Sequence, residues 1–210
     1  MEETKRVPVS VYAEMTPNPA VLKFVANKRL IEQDSVEFKN IEEAQPSPLA
    51  VKLFHFPFVK EIFVSGNYLA ITKYDIVEWE DITLEVRELI RDYISQGNPV
   101  LKVAIASTEA SEEDIKPAPV AFHPEEKSPE EWDAIEQKIV SLLDDHVKPA
   151  VEQDGGNIKF LNYQEGVVKV LLQGACSGCP SSTVTLKQGI QSLLQEMLPG
   201  QIKSVEAVNG

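Results

Sequence analysis

The chain has 210 residues, 43% of them apolar, enough to build a core in one or two domains. Its 33 acidic side chains outnumber 20 basic ones, and the net charge of −13 argues against nucleic acid or an anionic membrane surface as a partner. No long uninterrupted apolar run is present to span a membrane, and Met1-Glu2-Glu3-Thr4 lacks the basic and apolar regions of a secretory signal, so the expected location is cytoplasmic.

Residues 1–106 read as a mixed α/β domain. Val7, Val9 and Val11 alternate as in a strand. Thr16-Pro17-Asn18-Pro19 must turn, because proline fixes φ and donates to no ladder. Val21 to Val25 reads as a second strand. Ser47-Pro48 resembles an N-cap with proline at the first helical position, opening a short helix through Leu49, Leu53 and Phe54. Ile62-Phe63-Val64 and Tyr68-Leu69-Ala70-Ile71 flank Ser65-Gly66-Asn67, a hairpin signal. Ile82, Val86, Leu89, Ile90 and Tyr93 fall on one helical face, with Gly97 where the helix should stop. Val100 to Ile105 is expected to close the domain as a strand.

Composition breaks between Ser107 and Pro129, where six acidic side chains face two lysines and four prolines interrupt the chain. Little there can enter a core, so residues 107–128 are expected to form a flexible acidic linker.

Residues 129–210 read as a second compact unit. Ser128-Pro129-Glu130-Glu131 has the pattern of a capping box. Trp132, Ile135, Ile139, Leu142 and Leu143 then stripe a helix that Pro149 should bend or end. Asp154-Gly155-Gly156-Asn157 is a turn before a strand at Ile158–Leu161, and Glu165-Gly166 turns into Val167–Leu172. Leu186, Ile190, Leu193, Leu194 and Met197 stripe a last helix ending at Pro199-Gly200, and Val205–Val208 is a short strand. The fold class is therefore α+β. Two small α/β domains are joined by an acidic, proline-containing linker, and the second holds a small mixed sheet with two main helices.

The chemistry concentrates at Gly174-Ala175-Cys176-Ser177-Gly178-Cys179-Pro180, because Cys176 and Cys179 are the only cysteines. Two thiols at this spacing can chelate a soft metal or close one disulfide. Alone they cannot complete a tetrahedral zinc site or hold an iron–sulfur cluster, since both want four ligands. The chain then either performs dithiol–disulfide redox chemistry or borrows two ligands from another molecule. Pro180 suits a first helical turn, so Cys179 should stand at a helix N-terminus, where unpaired amides favour a thiolate. For a zinc site, His123 lies in the linker, His146 should face solvent, and His55 reads as a core histidine. No Ser/His/Asp order or phosphate loop stands out, so no enzyme active site is expected.

From Gly174 through Pro180 to Lys187 the sequence resembles, nearly residue for residue, the signature of the C-terminal NifU-like (Nfu) domain. Pro149-Ala150-Val151-Glu152-Gln153-Asp154-Gly155-Gly156 resembles the segment upstream of it in the same family. Thr16-Pro17-Asn18-Pro19 followed by Leu22-Lys23-Phe24 looks like the marker of the Nfu N-terminal domain. The resemblance implies an iron–sulfur cluster scaffold or carrier, not an enzyme. It implies Cys176 and Cys179 as the cluster and iron ligands, a 4Fe–4S cluster shared between the two subunits of a homodimer, and upstream cluster donors and apo-protein clients as partners. Asp154, Gly155 and Gly156 should shape a neighbouring turn rather than touch iron.

Overall fold

The computed structural model describes residues 8–32, 35–102, 132–177 and 180–209. The expected linker at 107–128 and the capping box from Ser128 to Glu131 lie outside the described residues.

Residues 8–102 fold around an antiparallel sheet of β1 (Val11–Met15), β2 (Val21–Ala26), β3 (Ser35–Phe38), β4 (Val59–Ser65) and β5 (Tyr68–Lys73), ordered β1-β2-β5-β4-β3. The turn at Thr16–Pro19 is braced from within. The Asn18 amide donates to Thr16 Oγ1 at 3.2 Å, and the Val21 amide donates to Asn18 O at 2.9 Å. Helix α1 (Pro48–Phe54) starts as the sequence predicts, with the Ala50 amide donating to Ser47 Oγ at 3.2 Å. Helix α2 (Trp79–Ser95) lays Ile82, Val86 and Ile90 on the sheet, where they meet Leu22, Phe24, Ile62, Val64, Leu69 and Ile71 in one core.

Two expectations for this half change. Of the expected strand at Val100 to Ile105, residues 103–105 lie outside the described residues, and Val100 and Leu101 form no strand because their neighbourhood is tied down by a different route. Ser47 Oγ donates to Val100 O at 2.6 Å, and the Lys102 amide donates to Pro46 O at 2.8 Å. His55 is exposed at the C-terminus of α1 rather than in the core, with Nδ1 2.7 Å from Val51 O. The edge strand β3 escaped the sequence reading because it offers only Val36 and Phe38 as apolar positions.

Residues 132–209 fold around a mixed sheet ordered β6-β7-β8, from β6 (Gly156–Gln164), β7 (Val167–Gly174) and β8 (Ser204–Asn209). Strands β6 and β7 are antiparallel and β7 and β8 parallel. Glu165 and Gly166 both have positive φ, 50° and 89°, which suits a tight β6–β7 connection. Helix α3 (Ala134–Leu142) passes through a π-helical turn (Leu143–Val147) into α4 (Lys148–Gln153), and α5 (Pro180–Met197) connects β7 to β8. Ile139, Leu143, Val151, Leu172, Ile190, Leu194 and Val205 make a separate core.

The described start of α3 has its own capping box. The Ile135 and Glu136 amides donate to Asp133 Oδ1, both at 2.8 Å, and the Asp133 amide donates to Glu136 Oε2 at 2.9 Å. Trp132 thus precedes the helix and meets Phe160 edge-on, centroids 5.9 Å apart. Pro149 restarts the helix instead of ending it, because it sits in the first turn of α4, where its missing N–H leaves nothing unsatisfied. Among the described residues, no helix is long and apolar enough to cross a membrane.

Candidate functional site

Strand β7 ends at Gly174, residues 175–177 turn, and α5 begins at Pro180. Cys179, the residue before that helix, lies outside the described residues, as does Gly178. Cys176 is described and is only 6% exposed, packed against the core of its own half. Ser177 closes the turn twice on Gly174 O, through its amide at 3.1 Å and its hydroxyl at 2.9 Å. Thr183, one turn into α5, donates to Cys176 O at 3.1 Å, tying the helix back to the loop.

Glycine is required where this loop meets the start of β6. A Cβ on Gly156 would stand 2.8 Å from Cys176 Sγ and 2.7 Å from Gln173 O. Gly174 has φ 67°, and a Cβ there would stand 2.7 Å from Gly155 O and 2.9 Å from Phe63. The Asp154-Gly155-Gly156 segment therefore shapes the bed on which Cys176 lies. Among the described residues no group of three or more His, Cys, Asp and Glu side chains gathers to hold a metal ion, and His146 is exposed on the π-helical turn.

The remaining cover over the loop comes from the other half of the chain. The outer face of the five-stranded sheet, opposite α1 and α2, lies against it. Lys23 Nζ donates to Glu152 O at 2.9 Å and Gln153 O at 3.3 Å. Its charge is further satisfied by Glu14 at 3.4 Å and by the Tyr68 ring, 4.5 Å to the centroid. Tyr68 Oη donates to Gly156 O at 2.8 Å. Ser35 Oγ donates to Gln173 Oε1 at 3.1 Å and accepts from Asn157 Nδ2 at 2.9 Å. The Gly174 amide donates to Glu37 Oε1 at 2.9 Å. Asn18 Nδ2 reaches Ala175 O at 3.5 Å, and Pro17, Asn18, Asp154, Ala175 and Cys176 line a small pocket. Between these polar contacts, Val21, Val25, Phe63, Tyr68 and Ala70 close on Ala175.

Burial raises the Glu37 carboxyl above its ordinary value, against the pull of the Gly174 amide and Lys39 in the other direction. Glu61 and Glu43 add to the rise.

Sequence reasoning found Cys176 but not its cover. Lys23 fell in the Nfu N-terminal marker and Tyr68 in a hairpin strand, but nothing there tied them, or Glu37, to the cysteine loop. One signal was available: Val21 to Val25 is apolar on both strand faces except for Lys23, and all six residues of β2 are buried. A strand with two apolar faces needs two layers against it.

Comparison with known proteins bears on the whole chain. A family model described as "Scaffold protein Nfu/NifU N terminal" matches residues 11–97, and one described as "NifU-like domain" matches 139–206. The protein named "NFU1 iron-sulfur cluster scaffold homolog, mitochondrial" in Drosophila sechellia is 38% identical over 97% of this chain and 68% of its own. Its namesake in Drosophila willistoni is 36% identical over 94% of this chain and 63% of its own. The chain thus spans about two thirds of the length of these relatives. A solved NifU-like protein from Saccharomyces cerevisiae is 24% identical over 48% of this chain and 91% of its own, at a TM-score of 0.42. The expected cytoplasmic location is overturned, because the relatives are named as mitochondrial proteins. With both family models matched in order and close relatives aligned over nearly its full length, the chain belongs to the Nfu/NifU family of iron–sulfur cluster scaffold proteins.

Proposed function

We propose that the chain takes a 4Fe–4S cluster as cargo from an upstream donor, holds it through Cys176 and Cys179 of two copies, and passes it to apo-protein clients. The observation that carries this reading is the ligand arithmetic. The chain's only thiols are these two, on the connection from β7 to α5, and a cubane cluster takes four. Two copies related by a two-fold axis supply the rest. The N-terminus of α5 favours anionic sulfur beside it.

Delivery needs no net oxidation. Each client thiolate binds an iron as a scaffold thiolate leaves it, and the released sulfur takes up a proton. The function is therefore binding and transfer rather than catalysis. In this reading the parts are residues 1–106, which select partners, a linker at 107–128, which keeps the carrier near a docked client, and the carrier domain at 129–210. The relatives' names support a mitochondrial setting. The alternative, a dithiol–disulfide oxidoreductase, would need one low-pKa thiol of the pair and would turn over a disulfide substrate as a monomer.

Anaerobic reconstitution with iron and sulfide tests the reading. About two irons per chain and a dimeric mass are expected, from four irons shared by two copies. Cys176→Ser should bind no cluster while keeping its fold by circular dichroism. A full cluster retained by that variant would sink the assignment, as would a loaded monomer.

A further inference from the structure

A cluster held between two copies requires Cys176 to face the second copy. In this chain the outer face of the five-stranded sheet closes on Ala175, next to Cys176, and Pro17 and Asn18 of the β1–β2 turn share a small pocket with Cys176 itself. The contacts have a particular chemistry. Side chains of one half grip backbone groups on both sides of the cysteine: Lys23 on the carbonyls of Glu152 and Gln153, Tyr68 on the carbonyl of Gly156, Glu37 on the amide of Gly174. The apolar patch beneath them, centred on Phe63 and Ala175, is separate from both cores. Each half therefore keeps its own core when the patch parts. A contact between domains with so many polar groups and a separate small apolar patch is expected to open and close. The exposed sheet face would present Lys23, Glu37 and Ser35 to water, so opening leaves no wholly apolar surface.

We propose that the outer sheet face is a docking surface for the chain's own cysteine loop: a cap that keeps Cys176 covered while the chain is empty and must lift before a cluster and a second copy can bind. The exclusion of the cluster rests on the bridged-cluster reading above. The cap itself stands on the contacts alone.

Site-resolved alkylation tests the cap without any cluster. The pre-reduced full chain is treated with N-ethylmaleimide, quenched at intervals and digested, and modification at Cys176 is followed by fragment mass. A closed state with an open population of about ten per cent or less should slow Cys176 at least about tenfold relative to the urea-unfolded chain. Tyr68→Phe, which removes one hydroxyl from the grip, should speed it about fivefold, the weight of one hydrogen bond. Phe63→Ser, which empties the apolar patch, should speed it more. Circular dichroism checks that both variants remain folded.

Wild-type Cys176 reacting at the unfolded rate overturns the cap. Protection unchanged in both variants overturns it too, because the cover would then come from the loop's own half. A second arm measures cluster uptake from the same iron and sulfide. Faster loading in the two variants than in wild type is expected, and equal loading despite faster alkylation removes the exclusion. Absence of cluster in every chain, with protection and release as expected, overturns the carrier reading and the exclusion and leaves the cap standing.

Discussion

The two faces of the five-stranded sheet do different work. The inner face is almost wholly apolar, with Lys73 at one end over the Trp79 ring, and closes on α1 and α2 through Leu22, Phe24, Ile62, Val64, Leu69 and Ile71. The outer face mixes Val21, Val25 and Phe63 with Lys23, Glu37, Ser35 and Tyr68, and its polar groups reach backbone carbonyls and amides of the other half. An apolar face has nowhere to go but a core. A mixed face can be satisfied by protein or by water, so its cover is reversible. Within one sheet, the same strands thus supply a permanent core and a removable contact.

Leu69→Ala should break the inner face. Leu69 is fully buried there, and its truncation should cost about 2–5 kcal/mol in denaturant unfolding of the first half. Phe63→Ala, though Phe63 is larger and nearly as buried, should cost no more than closure itself contributes, since the halves can part instead. An equal loss from both would erase the distinction between the faces.

Gly156→Ala asks which half holds the loop tight. The new methyl would meet Cys176 Sγ and Gln173 O, so about 1–3 kcal/mol should be lost from the second half, read in its thermal melt. A melt unchanged by this substitution would mean the loop yields freely under its cover.

The smallest expected effect is electrostatic. Glu37 binds its proton more readily when covered than when exposed, because burial raises its carboxyl above 4.5. Its contribution to closure is then fully present below 4.5 and is lost as pH rises through the raised value. Cys176 alkylation, corrected for thiolate fraction, should therefore be slowest at the acid end of that window. Glu37→Gln keeps an acceptor for the Gly174 amide and removes the charge, so it should flatten the dependence. A slope that persists in this variant assigns it to another group.

Much of this was legible in the sequence, for local reasons. The Ser47 cap, the β4–β5 hairpin, the α2 stripe and the Glu165-Gly166 turn all follow from residue types within a few positions of one another. Trp132 was read into the α3 stripe but precedes the helix, because Asp133 and Glu136 form a capping box of their own just after it. The meeting of the two halves was not legible. It joins residues 88 to 137 positions apart, and half of each of these bonds is a peptide group, which every residue carries. Thr16-Pro17-Asn18-Pro19 reads as a turn from its prolines, but nothing local says that Pro17 and Asn18 will stand beside Cys176.

The 6% exposure of Cys176 also bears on how an empty chain ages. Sulfenic and then sulfinic acid form first on thiols that solvent oxidants can reach, and the later steps are irreversible. An idle chain with Cys176 tucked away meets peroxide slowly at that sulfur. On the carrier reading proposed above, the arrangement that would delay loading also lengthens the working life of Cys176 as a ligand, which suits a protein that waits, thiol intact, for its cargo.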